Sequence, residues 1–364
     1  MEVLFTRNGA SNMDGALVRF ESEESFDDFT LKSTAWDSNA GGLSYRAEGT
    51  GDIGIVESPE VSVVNGFDQL VLAWNAKTPV GSFLTLYAQA LVNGFWTKWY
   101  DMGVWNCGGC PQHRTSRTDQ SDDKGNVNCD ILKLSSMASA FRIKVHLESA
   151  DGKRYPVLKF LSANVIDSKA WIVDMPPHKQ AWGLELAVPE LCQISVEGGD
   201  GWCSPTSTAM VLGYWADKLN RPDMKIGVIE AAQGVHDEAW GGTGNWTFNT
   251  AFAGEFEGMR AYVTRFAGIA QIEKWVEKGV PVIVSLHYSR LKNVVTEHES
   301  GHLMVIRGFT PYGDPIFNDP WARVENGEKL RKIFPRQDLE AAWLGPKGSW
   351  GTVYIIHPEG FNWR

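Results

Sequence analysis

Residues 296–309, TEHESGHLMVIRGF, hold the choice between two folds. Read as a helix, His298, Glu299 and His302 match H-E-x-x-H, in which two imidazoles one turn apart share a zinc ion and the glutamate serves as base. Ser300 and Gly301 would then fill the helix interior, where a glycine costs about 1 kcal/mol against alanine. The run Leu303-Met304-Val305-Ile306, followed by Arg307-Gly308-Phe309, reads instead as a short buried strand closed by a glycine. The strand is the better reading. It places His302 at a strand start, leaves His298 and Glu299 in the loop before it, and removes the zinc site.

Working outward, 364 residues are enough for two domains, each with its own core. A hydrophobic content of 43% and a charged content of 21% are ordinary for a globular protein. The net charge of −10 argues against nucleic acid or an anionic membrane as the main partner. No apolar run approaches the ~18 residues that a membrane span needs. The N-terminal MEVLFTRNGASNMDG lacks a basic and then an apolar region, so no signal peptide is expected in this chain, which reads as soluble and, as it stands, cytoplasmic. Five cysteines do not make a disulfide-dense framework, and they leave the compartment open. The oligomeric state is not legible.

The first ~165 residues read as β structure, with β-branched and aromatic runs at 52–56, 70–73, 83–90, 95–100, 141–147 and 157–165. A jelly-roll-like, all-β sandwich is the simplest architecture for them. Residues 166–188 contain Pro176-Pro177 and no clear period, which suits a connector. Beyond it, helices are expected at 206–217, 269–278 (closed by Gly279) and 336–344. Strands are expected at 280–287, from His302 onward, at 315–318 and at 351–357. Helices early and strands late suggest an α+β domain over 189–364.

Cys203 stands in Gly201-Trp202-Cys203-Ser204-Pro205 at the start of the 206–217 helix, with Pro205 suited to a first helical turn. A helix N-terminus favours the thiolate, the nucleophilic form of cysteine. Such a nucleophile needs a base and a group to orient that base. His302 at a strand start and Asp319 at the end of the next strand supply both if the two strands pair. An asparagine in place of Asp319 is expected to keep part of the function, because an amide oxygen can still accept from an imidazole N–H. Asn318 is the rival for this role.

Over Pro189 to Pro358 the chain resembles the C39-like branch of the papain-like cysteine peptidases. The resemblance rests on VPELCQ, GWCSPTSTAMVLGYW, GNWTFNTAFAG, GVPVIVSL, SGHLMVIRGF and IFNDP, in that order. It implies a papain-like α+β catalytic domain with Cys203 as nucleophile, His302 as base and Asp319 as third member. Gln193 would join the oxyanion hole, and no metal or cofactor is implied. Residues 1–165 resemble the β-sandwich module that precedes such domains. The implied activity is hydrolysis of a peptide or related amide bond in a peptide or protein substrate through a thioester. A binding or scaffold protein that keeps the fold is the alternative. Cys203 is followed by Ser-Pro instead of Gly, and no transmembrane domain is seen, so trimming of double-glycine leader peptides is not implied. Trp202, Trp246 and Asn249 are the candidate substrate contacts, the last two as an apolar wall and a main-chain hydrogen-bonding partner beside the cleft.

Other patterns carry less. Cys107-x₂-Cys110 with His113 and Cys129 is open to a zinc site, a disulfide or reduced thiols. The acidic stretch 119–130 lacks the residue order of a calcium loop, and Gly241–Gly244 lacks the lysine of a phosphate loop. Asn245-Trp246-Thr247 is a glycosylation sequon, meaningful only in a eukaryotic secretory pathway. Of sixteen tryptophans only five lie in the first 165 residues, so their number makes no case for a sugar-binding module there.

Overall fold

The computed structural model describes residues 2–3, 17–47, 52–110, 113–169, 175–292 and 301–361. By contact the chain divides into two units. Leu17–Asp167 and His236–Glu255 form the first; Ser168–Val235 and Phe256–Arg364 form the second. The chain therefore leaves the second unit after Val235 and re-enters it at Phe256.

The first unit is mostly β. Its main strands are β1 (Thr34–Asp37), β2 (Gly42–Tyr45), β3 (Gly54–Glu57), β4 (Val61–Lys77), β5 (Ser82–Val92), β6 (Tyr100–Trp105), β7 (Ile131–Ser149) and β8 (Val157–Ile166). They line up as β6–β5–β7–β4–β8–β2–β1, with β3 also on β7. Strands β4 and β7 run far past the apolar runs that announced them, because each changes partner along its length. One side of β7 pairs with β4 over Ile131–Phe141 and then with β3 over Lys144–Leu147. Within β7, Phe141, Ile143, Val145 and Leu147 are buried while Arg142, Lys144 and His146 are half-buried, the two-residue alternation of a strand with one covered face.

The inserted stretch His236–Glu255 completes this core. Its helix, Trp246–Ala253, sets Phe248 against Trp105 and Trp74, with ring centroids 5.4 Å and 6.3 Å away. Buried Asp237 anchors it by accepting from the Ser116 backbone N–H and the Asn245 amide, both at 2.9 Å. Asn245 caps the helix by accepting from the Phe248 N–H, which buries the asparagine of the sequon and closes it to a glycan. A Cβ on Gly254 would fall 2.1 Å from the Asn75 amide nitrogen, so only glycine fits there. The sequence reading missed this helix, whose apolar residues find their partners more than a hundred residues upstream.

The second unit combines helices with an antiparallel sheet. Its elements are α1 (Cys203–Leu219), α2 (Val228–Val235), β9 (Met259–Arg265), α3 (Ile269–Glu277), β10 (Val282–His287), β11 (Gly301–Phe309), β12 (Pro315–Asn318), β13 (Arg331–Ile333), α4 (Arg336–Trp343) and β14 (Thr352–Pro358). The sheet order is β9–β14–β10–β11–β12–β13. Helices dominate the first part of this unit and strands the later part, while α2, β9 and β13 carry no strong local signal in the sequence. Every residue of α1 from Cys203 to Ala216 is buried, so no single face of this helix is the apolar one. It ends at Asn220, whose left-handed backbone (φ 54°) lets its N–H reach the Ala216 carbonyl. Among the described residues no helix is long and apolar enough to cross a membrane.

Candidate active site

Cys203 is the first residue of α1, and the Ser204 N–H of the first turn bonds to its thiol. Ser207 Oγ donates to the Leu303 carbonyl (3.2 Å) and Ser204 Oγ pairs with Tyr354 Oη (2.9 Å), fixing this end of α1 against β11 and β14. His302 is the second residue of β11 and lies opposite Leu286 of β10. The helical pairing of the H-E-x-x-H reading is therefore not formed at its second histidine; His298 and Glu299 lie outside the described residues.

Strands β11 and β12 pair as neighbours, and the chain leaves β12 at Asp319. His302 Nε2 lies 2.8 Å from Asp319 Oδ1. Cys203 is hydrogen-bonded to the same imidazole, which leaves Nδ1 as the nitrogen facing the thiol. Asn318 is turned elsewhere: its amide donates to the Val188 and Pro189 carbonyls and accepts from Arg307. The geometry thus brings Asp319, and not Asn318, to His302.

Asp319 is 0% exposed and holds four donors. Oδ1 also accepts from the Trp321 N–H at 3.0 Å. Oδ2 accepts from Lys332 Nζ at 2.8 Å and from the Tyr288 hydroxyl. Lys332 comes from β13 and is itself paired with Glu328 at 3.0 Å. Tyr288, in the single helical turn that follows β10, sets its ring 4.5 Å from that of His302. Neither residue was singled out in the sequence, and neither sits in a motif that would have drawn attention to it.

The electrostatics follow from these contacts. Burial pushes the Cys203 thiol up, but the His302 hydrogen bond and charge, with the Leu303 and Ser204 N–H groups, outweigh it and hold the thiol below its ordinary range. Burial alone would lower His302; its bonds to Asp319 and Cys203 raise it to about 9. Burial would raise Asp319, yet His302, Lys332 and Tyr288 keep it well below the usual carboxylate range. Together these shifts favour a thiolate beside an imidazolium over the neutral pair.

Gln193 is buried, and its side-chain amide donates to the Gly199 carbonyl at 3.0 Å. Its backbone N–H donates to the Pro320 carbonyl, beside Asp319. A Cβ on Gly199 would fall 1.8 Å from the Gln193 carbonyl oxygen, so this close approach requires glycine.

Comparison with known proteins divides the chain between residues 165 and 185, with 236–255 inside the second match. Residues 185–349 match the model of the Peptidase_C39 like family, and residues 19–165 match that of the peptidase C39 N-terminal domain. Both matches are to C39 peptidase models, and residues 185–349 are similar to the C39-like peptidase family. A solved structure of a candidate C39-like peptidase from Bacillus anthracis is 17% identical, covering 50% of this chain and 96% of that one, at a TM-score of 0.32. No curated protein matches the chain.

The remaining candidates are placed as follows. Trp202 is the half-buried residue that precedes α1, directly before Cys203. Trp246 and Asn249 belong to the first unit, with the inserted helix. The Trp246 N–H donates to Asp130 at 2.6 Å. Asn249 is fully buried and its amide donates to the Thr243 and Asn245 carbonyls, so it braces its own loop. Cys107, Cys110 and Cys129 are free thiols; Cys129 faces Asp237 and His113 pairs with Glu238. Among the described residues no group of three or more His, Cys, Asp or Glu is arranged to hold a metal ion.

Proposed function

We propose that this chain is a papain-like cysteine peptidase that cleaves a peptide or related amide bond through a thioester. Its catalytic domain is read as 189–364, interrupted by the stretch 236–255 that belongs to the first unit, and is preceded by a β-sandwich module of jelly-roll type (1–165) and the connector 166–188. The observation that carries the reading is the hydrogen-bonded line from Cys203 at a helix N-terminus through His302 to buried Asp319.

The residues divide the reaction between them. The Cys203 thiolate attacks the carbonyl carbon, and the charge that develops on oxygen is met by the Cys203 backbone N–H and the Gln193 amide. Donors of this kind are worth ~3 kcal/mol each in acyl transfer. His302 hands its Nδ1 proton to the amine as the C–N bond breaks, leaving a thioester. Water then adds to the thioester with His302 accepting its proton, the C–S bond breaks, and the acid leaves. Asp319 keeps the imidazole in the orientation and protonation these steps need. Trp202, beside the nucleophile, is the proposed apolar wall for substrate.

Labelling by a thiol-directed covalent peptide inhibitor tests this, with the modified residue read by peptide mapping. One label per chain on Cys203, abolished by Cys203→Ala, is expected. A label that settles on Cys192 or another cysteine overturns the nucleophile assignment.

A further inference from the structure

The contacts on the far side of Asp319 deepen this reading and rest on it. A carboxylate that serves only to orient an imidazole needs one oxygen for the ring and modest support for the other. Here the second oxygen is held by two side chains from separate elements: the Lys332 ammonium from β13 at 2.8 Å, and the Tyr288 hydroxyl from the turn after β10. Lys332 is itself largely enclosed, with a side-chain exposure of 17%, and Glu328 fixes its ammonium from the other side. Tyr288 lies between two cationic groups: its ring is tilted against His302 on one side and lies under the Lys292 ammonium at 4.2 Å on another. A lone buried carboxylate needs only one counter-charge, and His302 already supplies one.

We propose that Lys332 and Tyr288 form a clamp on Asp319 that fixes the carboxylate plane and limits the negative charge it offers to His302. Both are positioning residues, acting through Asp319. The clamp works in two ways. Each carboxylate oxygen has two donors, so the plane cannot rotate away from the imidazole without breaking charge-assisted bonds. Lys332 also places a positive charge behind Asp319, which lowers the affinity of His302 for its proton below what an uncompensated aspartate would impose. Without Lys332 the imidazolium would be held too tightly to protonate a leaving amine efficiently near neutral pH. Among the described residues, the groups that face His302 and its aspartate are Cys203 from α1, Tyr288 from the turn after β10, Lys332 from β13 and, behind Lys332, Glu328. Lys292 lies over the Tyr288 ring and also acts on Glu328.

The test uses the full chain and needs no substrate. The titration of His302 is followed by NMR of its ring carbons. The pH dependence of Cys203 alkylation by iodoacetamide is followed by peptide mapping. Removing a partly enclosed charge at this range moves a neighbour by about one pH unit. Lys332→Met is expected to raise the His302 midpoint by about that much and to move the onset of Cys203 alkylation to higher pH. Lys332→Arg should restore both. Tyr288→Phe keeps the ring and the fold and should shift His302 in the same direction by less. A role in stability alone would lower the melting temperature and leave both midpoints in place. A depressed wild-type thiol beside unchanged His302 midpoints in Lys332→Met and Tyr288→Phe overturns the clamp and spares the triad. A wild-type Cys203 that alkylates only in the ordinary thiol range overturns the triad reading and the clamp with it.

Discussion

Replacing Asp319 by asparagine changes the chemistry of one oxygen and almost no volume, so it isolates what the second carboxylate oxygen contributes. From the sequence alone the change is expected to keep part of the function, because an amide oxygen can still accept from His302. The contacts predict otherwise. Oδ1 faces His302 Nε2 at 2.8 Å, while Oδ2 faces Lys332 Nζ at 2.8 Å and the Tyr288 hydroxyl. An amide has one oxygen for two cations. Turned toward His302, it aims its NH₂ at the Lys332 ammonium. Turned toward Lys332, it aims its NH₂ at Nε2, which must then accept. The ring proton moves to Nδ1, and His302 can no longer take the thiol proton. In a hydrolase triad that tautomer error costs about ten-thousandfold in kcat, or ~5.5 kcal/mol at 1.36 kcal/mol per decade. Asp319→Asn should therefore lose about a thousandfold to ten-thousandfold in kcat/KM on a peptide chosen by library profiling. Adding Lys332→Met removes the competing cation and should recover about tenfold, a coupling that a double-mutant cycle isolates. An Asn variant within about threefold of wild type refutes the reasoning, as does a double variant no better than Asn alone.

Four further outcomes are expected. Peptidase activity should fall as pH rises through about 9, where His302 loses its proton. The stabilisation from His302 follows the same limb: it is fully present below the ordinary histidine range and is lost as pH climbs through about 9, which chemical denaturation across pH 6–10 can follow. Activity should survive chelators and be abolished by thiol alkylation; loss on zinc removal, restored by zinc, would return the H-E-x-x-H reading to consideration. Phe248→Ala should destabilise by about 3–5 kcal/mol, since the ring is 0% exposed between Trp74 and Trp105. Hydrogen exchange should quicken across 236–255 in that variant, and a loss below about 1 kcal/mol would mean the inserted helix is not held by this ring.

What the sequence alone determined lies where the signal is local. A helix start after Gly201-Trp202, the Ser-Gly interruption before Leu303, and the β-branched runs of the first 165 residues each reflect backbone preference and nearest neighbours. From these, Cys203 at a helix N-terminus and His302 at a strand start could be read directly. What only the tertiary structure decided depends on partners distant in sequence. Strands β4 and β7 run through polar residues because their ladders continue, and a backbone ladder does not require apolar side chains. The helix Trp246–Ala253 has its core contacts on Trp74 and Trp105, so its membership of the first unit could not be seen in its own residues. Asn318 and Asp319 are adjacent and equally plausible in a motif, but successive side chains along a strand point to opposite faces. The end of β12 thus sends one to Arg307 and the other to His302. Lys332 and Tyr288 reach Asp319 from 13 and 31 residues away along the chain, brought there by sheet order and burial. Local propensity can place a nucleophile on a helix, but the charge around its aspartate is set by which strands become neighbours.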